Sequence, residues 1–127
     1  MDPHYKLDDF IGDCAMGNSK AFVTSGAQLT AESDFNLPTQ KQVLEFIGNG
    51  GLEKPAFINS EVWDKNPEPK QAIMIDAYSF YSGFLYGYIA FRFQPKTGKW
   101  AIKSFKKNRD PDTRNLAFKG SLTNLLT

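Results

Sequence analysis

The sequence predicts an α+β domain: two N-terminal helices packed on a small antiparallel sheet, followed by a C-terminal extension. Three observations point to it. Apolar residues recur at helical spacing within the first fifty positions. Three runs rich in β-branched and aromatic residues follow between residues 72 and 107, separated by turn sequences. The chain of 127 residues has the length of one domain able to bury a core of its own.

The first helix is carried by "YKLDDFIGDCAM", where Leu7, Phe10, Ile11 and Cys14 fall on one face and Gly17 and Asn18 signal a stop. The next stretch is mixed. Residues 21–24 suit a short strand, and residues 27–33 a helical turn. The second helix opens after Pro38. Thr39 and Gln42 have capping-box spacing, Val43, Leu44, Phe46 and Ile47 give an apolar stripe, and "GNGG" closes it. "LEKPAFINSEVWDKNPEPKQ", with three prolines, reads as a loop that packs through Phe57 and Trp63.

Then come the strands "AIMIDAYSFY", "FLYGYIAFRFQ" and "KWAIKSFKK", joined by "SG" and "PKTG" into a meander. Residues 1–108 form the domain, and residues 109–127 are the extension, with Leu116, Leu122 and Leu125 available to dock.

Net charge is +1, but it is unevenly spread. Residues 1–91 carry six lysines against twelve acids, and residues 92–127 carry nine Lys or Arg against two acids, Asp110 and Asp112. Such asymmetry suits a polyanion or an acidic partner; mutual neutralisation across the fold is the plainer alternative. No apolar run reaches the ~18 residues of a membrane span. The N-terminus "MDPHYKLDD" has no basic leader before an apolar stretch. With Cys14 as the single cysteine, the expectation is a reduced, cytoplasmic protein.

One histidine and one cysteine do not make a structural zinc site, and no metal or cofactor is expected. Phosphate-cradle, nucleophile-elbow and zinc-protease motifs are absent from the sequence. Asp8, Asp9 and Asp13 read as a solvated helix face, His4 as a helix-entry residue, and Cys14 as core.

The hairpin "YGYIAFRFQPKTGKWAIKSFKKN" concentrates aromatic and basic residues. With a four-residue "PKTG" loop, Phe93 pairs with Trp100 and Phe91 with Ile102, giving an apolar face. Strict alternation then puts Tyr88, Arg92, Lys103, Phe105 and Lys107 on the other face. Aromatic rings stack bases and cations hold phosphates, so this second face suits RNA; a merely wet strand face is the alternative. Arg92, Lys103, Lys107 and Arg109 are the expected RNA-binding residues.

The order of elements, with "HYKLDDFIGDCAMGN", "AFVTSGAQLTAESDFNL", "TQKQVLEFIGNGGLEKPAFINS", "IMIDAY", "YGYIAFRF" and a closing "SFKKN", resembles the MqsR-like toxins of the wider RelE-like fold. The resemblance runs from about residue 4 to residue 108. It implies a RelE-like meander and a metal-free endoribonuclease that cleaves mRNA and is neutralised by a cognate antitoxin protein. It also implies catalytic roles for Lys106, Tyr88, Asp76 and Tyr78. Asn59 and Ile75 stand where the family carries a lysine and a glutamine. The resemblance selects Lys106, whereas strict alternation selects Lys103 and Lys107; a bulge would reconcile them. A non-catalytic module binding nucleic acid or an acidic protein is the alternative.

Overall fold

The structure, a computed structural model, describes residues 2–67 and 72–112. Its elements follow from local sequence. Helix α1 (Leu7–Ala15) buries Phe10 and Cys14, one turn apart. Strand β1 (Ala21–Val23) leads into α2 (Ser25–Phe35), capped by the Thr24 hydroxyl, which accepts the Ala27 N–H. Helix α3 (Gln40–Gly48) begins with the Thr39–Gln42 capping box and buries Val43, Leu44 and Ile47. Four strands follow: β2 (Glu53–Val62), β3 (Met74–Ser82), β4 (Leu85–Gln94) and β5 (Lys99–Lys107).

This architecture corrects the expected one. Two N-terminal helices on a small antiparallel sheet are replaced, among the described residues, by three α-helices and a five-stranded mixed sheet of order β1-β5-β4-β3-β2. Three readings account for the difference. The turn expected at residues 27–33 is part of an eleven-residue helix whose buried stripe is only Ala27 and Ala31. The loop expected over residues 52–71 contains a ten-residue edge strand, disguised by Pro55 and two register shifts. Strand β1 pairs in parallel with β5, Ala21 opposite Trp100 and Val23 opposite Ile102, which no local pattern announces.

The helices contribute to one face of the sheet. Phe10, Cys14, Ala27, Ala31, Val43, Leu44 and Ile47 share a core with Tyr78, Phe80, Ile89, Phe91, Trp100, Ile102 and Phe105. Aromatic rings dominate it. Phe10 lies flat on Phe91 with centroids 3.8 Å apart, and Trp100 meets both rings edge-on. The Trp100 indole N–H donates to the Asp13 carboxylate at 2.8 Å, so this acid of α1 serves the core.

The opposite face carries a second, small cluster of Ile75, Ala77 and Ala90, with Trp63 and Tyr88 packed against it and no helical residue in it. We call this the open face in the sense that no described helix contributes to its cluster; Ile75, Ala77, Ser79, Ala90 and Arg92 on it are themselves buried.

Both margins of β5 are satisfied. Beyond the three-residue β1, α2 takes over as a surrogate strand. The Thr24 hydroxyl donates to the Ile102 and Lys103 carbonyls, and the Thr30 hydroxyl to Phe105 C=O at 2.6 Å. The Asp34 carboxylate accepts the Lys107 N–H at 3.0 Å. These bonds occupy an edge that would otherwise invite pairing.

The N-terminus is tied in equally specifically. The Tyr5 hydroxyl donates to Met74 C=O at 2.8 Å and accepts the Phe93 N–H at 3.2 Å, bridging β3 and β4 beyond their last ladder pair, Asp76–Phe91. Leu116, Leu122 and Leu125, expected to dock, lie outside the described residues. Asp112 does reach the sheet, its carboxylate accepting from the Tyr81 hydroxyl at 2.7 Å.

Candidate functional site

The site begins with one extra residue. Gln94 faces Lys99, Phe93 faces Trp100 and Phe91 faces Ile102, as the four-residue "PKTG" turn requires. The register then slips, and Ala90 faces Ser104, leaving Lys103 as a bulge. From there the alternation of β5 is reversed. Phe105, expected on the wet face, goes to the helix side and is 0% exposed. Lys107 follows its parity, opposite Gly87. Lys106 comes to the open face directly opposite Tyr88, its Nζ 5.5 Å from the centre of the Tyr88 ring. That distance is within cation–π reach. The choice that strict alternation left between Lys103, Lys107 and Lys106 is therefore decided by the bulge: Lys106 is the lysine that accompanies Tyr88.

The floor beneath this pair is built from small residues. Asn59, Ala77, Ala90 and Ser104 form one row across β2 to β5, and Ser79, Tyr88 and Lys106 form the next. The Tyr88 ring packs against Ile75, Ala77 and Ala90. Burial raises the Tyr88 pKa above the usual phenol value, and the charges of Glu61 and Asp110 add to the effect. Glu61 is oriented by Asn59, whose amide donates to its carboxylate at 3.1 Å.

Arg92 lies further along β4 on the same face. Its guanidinium sits 3.8 Å over the Trp63 ring, and the residue is only 7% exposed. Its Nε has no hydrogen-bond partner. Burial lowers its pKa, partly countered by Tyr5.

Of the eight expected site residues, Tyr88, Lys106 and Arg92 share this face. Lys103 is exposed at the bulge, and Arg109 is exposed beyond the end of β5. Asp76 and Tyr78 are not brought to it. They alternate with Ile75 and Ala77 and point into the helix-side core. Asp76 is 0% exposed and accepts the His4 and Tyr5 N–H groups at 3.2 and 2.8 Å, which makes it the anchor of the N-terminus. Tyr78 is buried against Phe57 and Phe91, its pKa raised by burial and then by Asp76. The expected four-residue catalytic set is thus divided between the two faces of the sheet.

The two positions that depart from the MqsR-like pattern both belong to the open face. Ile75 supplies apolar floor, and Asn59 orients Glu61. Sequence reasoning missed Glu61 as a site residue and Trp63 as the platform for Arg92. The signal was the alternation of Asn59, Glu61 and Trp63 within "NSEVW", obscured by reading that stretch as a loop.

Two concavities on the helix side contain none of the expected residues. The more enclosed, about 320 Å³, lies between the end of α1 and α3 beside Cys14, Met16, Gln40 and Glu45. Burial, helped by Asp13, pushes the Cys14 thiol up to about 12, so it is a poor nucleophile. Among the described residues no group of three or more His, Cys, Asp or Glu could hold a metal ion, and no helix is long and apolar enough to cross a membrane.

The chain was compared with protein-family models, with curated proteins and with solved structures, and nothing matches in any of the three. The resemblance to MqsR-like toxins rests on the residues quoted above.

Proposed function

We propose that the open face of the sheet binds single-stranded RNA, with Tyr88 and Lys106 at its centre. The observation that carries this reading is the bulge at Lys103, which sets a cation beside an aromatic ring on a sheet face to which no described helix contributes core. Unpaired bases stack on such rings, and lysines take the phosphates between them. The lysines of β5 and Arg109 extend the positive charge along one strand and past its end.

A second reading, metal-free cleavage, is favoured by one specific observation: Glu61 acts electrostatically on Tyr88 and is held by Asn59. The ribose 2′-hydroxyl would give its proton to Glu61 and attack the adjacent phosphorus. Tyr88, kept protonated by its raised pKa, would give its proton to the departing 5′-oxygen. Lys106 would face the charged phosphorane. The products are a 2′,3′-cyclic phosphate and a 5′-hydroxyl. Asp76 and Tyr78 have no part in this route. In this form the protein acts as a toxin-like endoribonuclease on mRNA, and a cognate antitoxin would neutralise it by covering the same face.

Fluorescence anisotropy with a labelled single-stranded RNA in EDTA, at about 50 and about 200 mM salt, tests the binding reading. Affinity should fall steeply with salt, and Tyr88→Ala should weaken it by ~1–3 kcal/mol, the value of a stacked base. Absence of binding at low salt rejects the proposal. Electrophoresis of the same mixtures separates binding from cleavage, since only cleavage yields shorter fragments.

A further inference from the structure

Arg92 presents an unanswered charge. The residue is 7% exposed, its guanidinium lies over the Trp63 ring, and it makes no ion pair with any described residue. The group that acts electrostatically on it, the Tyr5 hydroxyl, is already held between Met74 C=O and Phe93 N–H. The Nε proton is left with no acceptor. A buried cation without a counter-ion destabilises a fold, and stacking on an indole offsets only part of that cost. What the guanidinium retains is a rigid fork of donors matched to phosphate, held on an aromatic platform.

We propose that Arg92 is a built receptor for one phosphate group, a phosphodiester of the RNA strand that also crosses Tyr88 and Lys106. The proposal rests on the RNA reading above for the identity of the ligand, but the receptor itself follows from the burial and the missing partner. Arg92 lies four positions beyond Tyr88 on β4, roughly 13 Å at the rise of an extended strand. The bound strand must therefore span more than one nucleotide.

Thermal melting in inorganic phosphate tests the receptor without RNA, with chloride at equal ionic strength as control. The wild-type Tm should rise with phosphate by mass action. Arg92→Met should melt at or above the wild-type temperature in chloride, because it removes an unpaired buried charge. It should also lose the part of the phosphate shift that exceeds the general effect of an excluded salt. Equal phosphate shifts in the two proteins, or no shift in the wild type, would overturn the proposal. Should Arg92→Met fail to fold, Arg92→Lys, which keeps charge but loses the planar fork, should show a reduced shift; an undiminished one overturns the proposal equally.

In RNA titrations, Arg92→Met should lower the slope of log affinity against log salt by about 0.7, the share of one phosphate on a single strand. The two readings fail separately. Loss of the phosphate shift in Arg92→Met without any RNA binding keeps the receptor and removes RNA as its ligand. Full RNA binding with an unchanged salt slope keeps the RNA reading and removes Arg92 from it.

Discussion

Asp76 and Lys106 show how a residue's chemistry depends on the side of the strand it occupies. Both are expected as catalytic residues from the sequence, yet one is sealed in the core and the other lies on the open face. Asp76→Ala should leave the His4 and Tyr5 amides without acceptors, at ~1–3 kcal/mol each. Denaturant unfolding should show that loss. Lys106→Ala should change stability by no more than ~0.5 kcal/mol while weakening RNA binding, since Lys106 is only partly buried and surface substitutions seldom matter to the fold. Trp100→Ala, which removes a buried ring and its bond to Asp13, should cost ~3–5 kcal/mol.

The buried acids of high pKa also set an alkaline limit. Cys14 is pushed from 9.0 to about 12, and Tyr5, Tyr78 and Tyr88 are raised above 10.0, each chiefly by burial. For a group whose folded pKa is raised, the stabilisation is fully present below the unfolded pKa and is lost as pH climbs through the folded one. Tm should therefore fall with pH from about 9 upward, and Cys14→Ala should make that fall shallower. An unchanged slope would show that Cys14 is not sealed as the structure has it.

At the scale of elements, the bulge in β5 is the feature on which the site turns. Deleting Lys103 would remove the bulge, and strict alternation from Ile102 would then run through Ser104 to Phe105 and Lys106, keeping Phe105 in the core and Lys106 opposite Tyr88. Cooperative unfolding should survive this deletion; its loss would mean that Lys103 is not the extra residue of the ladder. Gly87 tests the same ladder from β4. A Cβ there would overlap the Phe80 ring on β3, so Gly87→Ala should destabilise by ~1–3 kcal/mol through overpacking.

The turn "PKTG" and the pairing of Phe93 with Trp100 were legible in the sequence because turn chemistry fixes local register. The bulge was not, because an inserted residue leaves each neighbouring side chain locally plausible. Strand β2 was illegible for a related reason. Its register shifts break the period-two pattern, and an edge strand with a wet margin lacks a continuous apolar stripe. Helix α2 hides its amphipathicity in alanines, and Thr30 and Asp34 serve β5 from a distance that no local window spans.

For the whole molecule, the sheet separates two tasks. The helix side holds the aromatic core and the N-terminal anchor. The open side holds Tyr88, Lys106, Arg92 on Trp63, and Glu61 on Asn59. The change of charge sign between residues 1–91 and 92–127 was readable from the sequence, and β5 gives it a location in Lys99, Lys103, Lys106 and Lys107. Which of those lysines stands beside an aromatic ring was not readable, since that depends on cross-strand register.

The division of tasks is tested most directly by amide chemical-shift mapping of the isotopically labelled protein titrated with a short single-stranded RNA. Perturbations should concentrate on Asn59, Ala77, Tyr88, Ala90, Arg92, Ser104 and Lys106, and should leave α1 and α3 unchanged. Perturbations confined to the groove beside Cys14, Gln40 and Glu45 would contradict the assignment of function to the open face.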